Sequence, residues 1–263
     1  MNTYTGKSII VTGAGTGIGA SIARRFAEAG AWVALNDQNS ALATQTAAHI
    51  NQALDREAVH AFAGDVGDVA FLRQMVAEVV AQSGRLDVMI ANAGVTDFGP
   101  FLDYTPEAFD RLTGINLRGS YFSAQIAAHS MIAQKIPGRI LFTASVTGLV
   151  AHPNLSAYGM TKAGLIHLTR CLAVELGGYG ITVNALCPGA TLTPRTLETE
   201  PNYAEQWASV TPTGRAATPD DIAAAALFLA SPEAHQINGV TLTIDGGWTV
   251  QSPLPRDTMN DSQ

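Results

Sequence analysis

The chain has 263 residues, of which 47% are hydrophobic and 14% charged, a balance typical of a compact globular protein rather than a disordered one. Its formal net charge of −7 comes without a lysine and arginine cluster, which argues against nucleic acid or a membrane surface as partner. The two cysteines lack metal-site or redox spacing, and no secretory signal or apolar run of ~18 residues is evident. We therefore expect a cytoplasmic protein with reduced thiols.

The first predicted strand leads into a glycine-rich turn. Residues 7–12 form a short apolar run typical of a strand buried on both faces, and helical spacing of apolar residues follows. The turn has the pattern G-x-x-x-G-x-G, formed by Gly13, Gly17 and Gly19. Glycines at a helix N-terminus let a pyrophosphate approach the backbone N–H groups. The turn is either such a phosphate site or a plain tight turn.

An acidic residue ends the second predicted strand, residues 31–36. Asp37 stands eighteen residues after Gly19, where a carboxylate binds the 2′-hydroxyl of an adenosine ribose and repels a 2′-phosphate. Neither Thr16 nor the two residues after Asp37 supply a basic side chain, so NAD is favoured over NADP. The alternative is that Asp37 only caps the helix that begins near residue 40.

Strands and helices continue to alternate. Helices are predicted near residues 41–53 and 69–82, and strands at residues 58–63 and 86–91. The alternation predicts an α/β fold in which one Rossmann-type, doubly wound parallel sheet forms a single domain.

Polar residues follow two of these strands, at the edge of the sheet where ligands bind. Asp65 is placed to accept a hydrogen bond from an adenine amino group, and the small Ala93 and Gly94 leave room for a ribose. Each could instead be ordinary turn chemistry.

A long helix is predicted from residue 106 to about residue 135, with Pro106 in its first turn. Asn116 lies inside it between two apolar residues, although asparagine is a mediocre helix former. This placement indicates a buried amide with a specific partner. The alternative is an ordinary, satisfied polar group of the core.

A serine, a tyrosine and a lysine follow in a spacing suited to proton chemistry. Ser145 comes directly after the strand predicted at residues 138–144, and Tyr158 and Lys162 stand four apart in a helix that ends near residue 176. They therefore project from one helical face. A free phenol titrates near ~10, so it needs a nearby cation to act at neutral pH. Lys162 is placed to be that cation, although the spacing alone could be coincidence.

The last third of the chain completes the sheet. A strand is predicted at residues 181–187, a short helix at 219–230 and a strand at 240–244, followed by a polar tail, 253–263, that we expect to fray. Residues 194–218 show no clear periodicity. A loop of that length inside a compact domain is usually functional, so we predict a substrate lid at about residues 190–218.

Together these motifs resemble the compact, single-domain branch of the short-chain dehydrogenase/reductase family over nearly the whole chain. Residues 12–19 look like its cofactor loop, Asn92-Ala93-Gly94 like its sheet-stabilising motif and Pro188-Gly189 like its nicotinamide-side motif. The family often has a further asparagine where this chain has Ala91. Four residues match the family's catalytic tetrad in order and spacing: Asn116, Ser145, Tyr158 and Lys162.

The resemblance implies an NAD-dependent oxidoreductase that transfers a hydride between nicotinamide and a secondary alcohol or ketone, with sugars and polyols among the candidates. Tyr158 would exchange a proton with the substrate oxygen as general acid/base, and Ser145 would hydrogen-bond that oxygen. Lys162 would support the phenolate, and Asn116 would hold a water between Lys162 and solvent. A homotetramer is also implied. A metal is not, because the histidines and carboxylates show no ligand spacing.

The remaining site residues are assigned on the same basis. The cofactor would contact Gly13, Thr16, Gly17, Ile18, Gly19, Asp37, Asp65, Val66, Asn92, Ala93, Gly94, Tyr158, Lys162, Pro188, Gly189, Thr191 and Thr193. The substrate candidates are Thr96, Val146, His152, Asn154, Ala190, Arg195 and Trp207. His152 could instead be a surface histidine, and Arg195 a solvated charge of the lid.

Two rival functions use the same fold. A non-catalytic dinucleotide-sensing or scaffold protein would not need Tyr158 and Lys162 together, so the complete tetrad counts against it. An epimerase or dehydratase of the extended relatives would need a longer C-terminal substrate domain than this chain has.

Overall fold

The computed structural model describes residues 3–251, so the predicted tail lies outside the described residues. Its strands are β1 (Ser8–Val11), β2 (Trp32–Asp37), β3 (Val59–Ala63), β4 (Val88–Ala91), β5 (Arg139–Thr143), β6 (Thr182–Pro188) and β7 (Thr241–Ile244). All neighbouring strands are parallel, in the order β3-β2-β1-β4-β5-β6-β7. The predicted single-domain, doubly wound sheet is confirmed. Its order reverses between β1 and β4, the switch point where such sheets bind ligands.

Helices cover both faces of the sheet. They are α1 (Gly17–Glu28), α2 (Ser40–Leu54), α3 (Val69–Ser83), α4 (Pro106–Thr113), α5 (Ser120–Ala133), α6 (Ser156–Leu176), α7 (Pro194–Thr199), α8 (Tyr203–Ala208) and α9 (Pro219–Ala230). One layer contains α1, α2 and α9, and the other contains α3, α5 and α6. Ile9 and Val11 face the first layer, whereas Ile10 faces the second. Because side chains alternate along a strand, a strand covered on both faces is apolar throughout.

The predicted long helix is interrupted. A wide π turn at Gly114–Gly119 separates α4 from α5, and the helix ends at Ala133. Asn116 lies in this π turn and is fully buried. A π turn inserts an extra residue into the helical ladder and is frequent at functional sites. The break therefore falls at the polar residue that the sequence marks as unusual.

The prediction that residues 194–218 lack regular structure is wrong for part of that segment, which contains the short helices α7 and α8. Thr193 caps α7 in a reciprocal capping box with Thr196, and Pro194 takes the first helical position. Six residues make less than two turns, so neither helix is long enough to show a helical repeat.

No helix in residues 3–251 combines the length and the apolar character that crossing a bilayer needs. Within the same residues, no group of three or more His, Cys, Asp or Glu side chains could hold a metal ion. Both cysteines are free thiols, with Cys171 half-buried and Cys187 buried.

Candidate active site

The glycine turn after β1 forms a cradle for an anion. Gly13 and Gly17 have φ values of +60° and +58°, which side-chain-bearing residues rarely adopt. A Cβ on Gly19 would lie 2.4 Å from the carbonyl oxygen of Gly13. At the start of α1, Thr16 makes no side-chain capping bond and no acidic residue occupies the first turn. The first N–H groups of α1 are thus left for a ligand, so the turn fits a dinucleotide phosphate.

Asp37 lies directly against this cradle at the end of β2. Its Oδ2 accepts a hydrogen bond from the N–H of Gly15 at 3.0 Å, and its Oδ1 accepts one from the N–H of Asn39 at 2.9 Å. A Cβ on Gly15 would lie 2.7 Å from Oδ2. Asn39, not Asp37, caps α2 by accepting from the N–H of Leu42. The structure thus rejects the alternative that Asp37 serves only as the helix cap.

Asn92 ties the ends of three strands together. Its Nδ2 donates to the carbonyl oxygens of Thr12 and Gly13 at 2.9 and 3.0 Å, and its Oδ1 accepts from Thr143 Oγ1 at 3.1 Å. The side chain is therefore used to shape the cradle. Next to it, a Cβ on Gly13 would lie 2.6 Å from the Cα of Ala93, so the two turns pack closely.

At the end of β3, Asp65 takes part in a local turn. Its Oδ1 accepts from the N–H of Gly67 at 2.8 Å, and the side chain is otherwise exposed. Val66 is buried next to Gly119, where an added Cβ would lie 2.9 Å from Val66 Cγ2. Asp65 Oδ1 thus makes the ordinary turn hydrogen bond that the sequence analysis gave as an alternative. The other carboxylate oxygen remains available to accept a hydrogen bond from a ligand.

Asn116 joins α6 to the loop after β4. It exchanges two hydrogen bonds with the backbone of Val95, at 2.8 and 2.9 Å, and its Nδ2 also donates to Thr161 Oγ1 at 3.1 Å. A Cβ on Gly94 would lie 3.2 Å from Asn116 Oδ1 and 3.3 Å from Lys162 Nζ. The missing side chain of Gly94 therefore leaves a space bordered by both polar atoms.

Lys162 is buried and points at Tyr158. Its Nζ donates to the carbonyl oxygen of Thr143 at 2.8 Å and lies 5.6 Å from the centroid of the Tyr158 ring. Lys162 is 3% exposed, whereas Tyr158 is half-buried. The two side chains share one face of α6, as their spacing predicts, and the phenol is the more exposed of the two.

Ser145 is oriented as a hydrogen-bond donor. Its Oγ accepts from the N–H of Thr147 at 3.2 Å and from Thr147 Oγ1 at 3.0 Å. A serine hydroxyl has two acceptor positions and one proton to donate. Because Thr147 fills both acceptor positions, the Ser145 proton is free for a substrate oxygen.

The segment after β6 passes beside the glycine turn. Thr191 is buried and its Oγ1 donates to the carbonyl oxygen of Gly189 at 3.0 Å. Thr193 Cγ2 lies 3.4 Å from the position of a Cβ on Gly17. Pro188 ends β6. Of these residues, Thr193 thus lies directly beside the glycine turn.

The substrate candidates differ in their surroundings. Val146 is buried, and Thr96, His152, Ala190 and Trp207 are half-buried. Asn154 is exposed with a φ of +61°, and its carbonyl oxygen accepts from the N–H of Gly99 at 3.0 Å. Arg195 is exposed and forms no ion pair within residues 3–251.

Comparisons with known proteins decide the family. The family model described as enoyl-(acyl carrier protein) reductase matches residues 13–249. A short-chain dehydrogenase/reductase of Armillaria gallica is 41% identical over 92% of this chain and 95% of its own. This chain belongs to the short-chain dehydrogenase/reductase family.

Other members of this family with named activities are also similar. An L-rhamnose 1-dehydrogenase (NAD(P)(+)) of Sphingomonas sp. is 37% identical over 95% of this chain and 99% of its own. A D-threitol dehydrogenase of Mycolicibacterium smegmatis is 38% identical over 94% of each chain. The crystal structure of a gluconate 5-dehydrogenase from Burkholderia cenocepacia J2315, in complex with NADP and tartrate, has a TM-score of 0.88 at 33% identity and covers 95% of this chain and 98% of that one.

Three residues of this short-chain dehydrogenase/reductase escaped the sequence reasoning. Thr147 orients Ser145, as described above. Tyr203 of α8 is buried, which raises the pKa of its phenol to about 12 despite a hydrogen bond with the Thr191 backbone. Trp248 packs on the apolar residues around Ser145. The last two contacts join distant segments, so no local pattern could have revealed them.

Proposed function

We propose that this short-chain dehydrogenase/reductase is an NAD-dependent oxidoreductase that interconverts a secondary alcohol and a ketone, with a sugar or polyol as substrate. The observation that carries the proposal is the placement of Lys162 beside Tyr158. The names of the L-rhamnose and D-threitol dehydrogenases support a hydroxylated substrate. Nothing in these relatives supports the non-catalytic alternative.

Each member of the tetrad has a distinct task in the proposed reaction. Tyr158 takes the proton of the carbinol oxygen in oxidation and returns it in reduction, while Ser145 donates a hydrogen bond to the same oxygen. Lys162 stabilises the phenolate through its charge. The nicotinamide, when bound, accepts or supplies the hydride.

Asn116 is proposed to open a route for the proton. The space at Gly94 is bordered by Asn116 Oδ1 and Lys162 Nζ, which suits a water that hydrogen-bonds both. Asn116 is itself fixed by three hydrogen bonds, so such a water would have a rigid partner.

Asp37 is the basis for the proposed preference for NAD over NADP. Its carboxylate is held against the glycine turn by two backbone N–H groups, where it would accept from a ribose hydroxyl and repel a phosphate. No basic side chain stands at Thr16 or at the two residues after Asp37 to offset that charge.

Residues 190–218 are proposed to act as a lid over the substrate. Near the start of this segment, Thr193 Cγ2 lies 3.4 Å from the position of a Cβ on Gly17, and buried Tyr203 interacts electrostatically with Tyr158. A lid in this position would cover both the cofactor cradle and the reacting phenol.

A homotetramer in the cytoplasm is proposed as the working form. Exposed apolar side chains on α5 and α6 include Tyr121, Met160 and Val174, and no residue of the edge strand β7 is fully buried. Such faces are typical of surfaces that a second copy covers. Two free cysteines fit a reducing compartment.

A spectrophotometric screen tests the proposed function. The protein would be mixed with aldoses, polyols, acyclic diols, hydroxy acids and steroids in the presence of NAD or NADP, and NADH or NADPH formation followed. We expect turnover of hydroxylated secondary alcohols, faster with NAD. Tight NADH binding without turnover of any alcohol, or of the matching ketones in reverse, would instead support a dinucleotide-sensing protein.

A further inference from the structure

Four aromatic rings form a continuous row beside the candidate site. His152 stacks on Trp248 with ring centroids 5.3 Å apart and an interplanar angle of 12°. Trp248 meets Trp207 edge to face at 5.5 Å, and Trp207 lies 5.9 Å from Tyr203. We call these four side chains the ring row. They come from the loop before α6, from α8 and from the turn after β7, so tertiary packing brings them together.

The ring row passes close to Ser145. Trp248, inside the row, packs against the buried cluster that contains Ala144 and Val146, the two neighbours of Ser145 in the chain. Tyr203, at one end of the row, interacts electrostatically with Tyr158. A compound that bonds to Ser145 therefore lies next to Trp248.

The turn that carries Trp248 is firmly held. The carboxylate of Asp245 accepts hydrogen bonds from the N–H of Gly247 at 2.9 Å and from the N–H and Oγ1 of Thr249 at 2.8 and 2.6 Å. Gln251 Nε2 donates to the carbonyl oxygen of Val210 in the lid at 2.7 Å. Trp248 is thus a fixed platform joined to the lid rather than a loose surface ring.

The ring row combines apolar surface with accessible hydrogen-bond donors. His152, Trp207 and Trp248 are half-buried, and none of their ring nitrogens is among the buried, unpartnered polar atoms of residues 3–251. Their N–H groups are therefore open to solvent or to a ligand. A ligand with a flat C–H face and several hydroxyl groups would cover the rings and satisfy those donors, whereas a steroid would leave the donors unpaired.

We propose that the ring row binds a cyclic sugar, with Trp248 as the residue that determines this specificity; the inference rests on the proposed function. The substrate class is an aldose in its ring form. The anomeric carbon would lose a hydride to NAD and its hydroxyl would lose a proton to Tyr158, so a ring hemiacetal becomes a lactone and NAD becomes NADH. The hydride and proton transfers are those by which a secondary alcohol becomes a ketone. An acyclic diol would be oxidised to a ketone by the same groups but is too short to cover Trp248.

The test compares Trp248→Leu with Trp248→Phe and with Trp32→Phe as matched control. Trp32 stacks on His60 at the far side of the sheet, with centroids 4.3 Å apart, so its replacement changes a tryptophan away from the site. Steady-state rates would be measured with L-rhamnose as the aldose and meso-2,3-butanediol as the acyclic diol. The melting temperature would confirm that each variant is folded, and the affinity for NADH would confirm that it still binds the cofactor.

We expect Trp248→Leu to raise KM for the aldose about tenfold, while KM for the diol and the affinity for NADH change less than about twofold. The Trp248→Phe variant keeps an aromatic ring but has no ring N–H, so its KM for the aldose should lie between those of wild type and Trp248→Leu. Trp32→Phe should behave as wild type. Equal effects of Trp248→Leu on both substrates would overturn the inference. If Trp248→Leu does not fold, Trp248→Phe decides, and an unchanged KM for the aldose in that variant would overturn the inference. A wild type that oxidises the diol but not the aldose overturns this inference alone; one that oxidises no alcohol of the wider screen overturns the proposed function too.

Discussion

Asp37 shows how one carboxylate can serve both the fold and cofactor choice. Its two oxygens accept from the N–H groups of Gly15 and Asn39, so it shapes the turn whether or not a ligand is present. Its charge is a separate property, which only a 2′-phosphate would sense strongly. An isosteric amide keeps an acceptor oxygen and removes the charge, so the two roles can be separated.

We predict that Asp37→Asn lowers the ratio of kcat/KM for NAD to that for NADP by about tenfold, because the repulsion of the 2′-phosphate is removed. Asp37→Ala should lower the ratio as much and also lower the melting temperature, since both backbone bonds are lost. Asp68→Asn removes a charge from the cap of α3 and serves as control. A wild type that uses NADP as well as NAD would refute this account of Asp37.

Thr147 is the residue whose effect on the chemistry is easiest to isolate. Its hydroxyl and its N–H both donate to Ser145 Oγ, and together they direct the Ser145 proton outward. The sequence placed Ser145 at the end of a strand. It could not show the orientation of the hydroxyl, which depends on the 3₁₀ turn at Val146–Gly148.

Thr147→Val should therefore lower kcat several-fold with little change in the KM for NAD, because the Ser145 hydroxyl can rotate away from the substrate oxygen. Thr147→Ser keeps the donor and should restore most of the rate. Stopped-flow measurement of the first turnover would separate this effect from product release. Equal kcat values for the valine and serine variants would exclude the proposed positioning role.

At the scale of elements, the long helices and the strands could be predicted from the sequence, whereas the π turn and the short helices α7 and α8 could not. The strands that lie in the interior of the sheet are mostly apolar, and the longer helices show several turns of periodicity. The π turn depends on Asn116 bonding to Val95 and Thr161, 21 and 45 residues away in the sequence. Because these partners are distant in the sequence, the π turn produces no local pattern of apolar residues from which it could be predicted.

The start of α9 is stabilised by charge as well as by capping. Thr218 and Asp221 form a reciprocal capping box. The Arg215 guanidinium, together with the Thr218 backbone and hydroxyl, holds the pKa of the Asp221 carboxyl well below its usual range. Because the folded pKa is depressed, this stabilisation is fully present above pH ~4 and is lost as the pH falls below it.

Replacing Asp221 by alanine should thus cost about 1 kcal/mol of unfolding free energy at pH 7, since the box loses one of its two partners. The difference from wild type should shrink as the pH is lowered from 4 to 2, because the Asp221 carboxyl of the unfolded chain then binds a proton that the folded chain does not. Urea unfolding at several pH values measures it. Asp110 is exposed in α4, so Asp110→Ala serves as the control for the change in helix propensity from aspartate to alanine. A difference that stays constant with pH would show that the carboxylate charge contributes nothing.

At the scale of the whole molecule, the site is assembled from the carboxyl ends of β1 to β6 and from a lid that follows β6. The sequence revealed the tetrad and the glycine turn because each occupies a short stretch with fixed spacing. It named His152 and Trp207 as substrate candidates but did not reveal that they form a row with Tyr203 and Trp248, because the members lie in three segments separated by some 40 to 55 residues. The proposed specificity thus depends on tertiary contacts, whereas the proposed reaction type follows from local motifs.

The proposed tetramer depends on the exposed apolar side chains of α5 and α6. Val174 is 84% exposed, so a charged residue there should leave the subunit folded. We predict that wild type elutes with four times the mass of one chain in light-scattering chromatography and that Val174→Glu yields smaller species, because a buried charge is costly. Gln52→Glu, on exposed α2 surface, is the charge control. A monomeric wild type would contradict the proposed assembly.

The central claim is that Tyr158 performs the proton transfer with Lys162 beside it. Tyr158→Phe removes one hydroxyl group and leaves the ring packing and the cofactor cradle intact. The account predicts that turnover falls by about a hundredfold or more in this variant, the usual contribution of general acid–base catalysis, while NADH binds with unchanged affinity. Near-normal turnover by Tyr158→Phe with NADH still bound would contradict it.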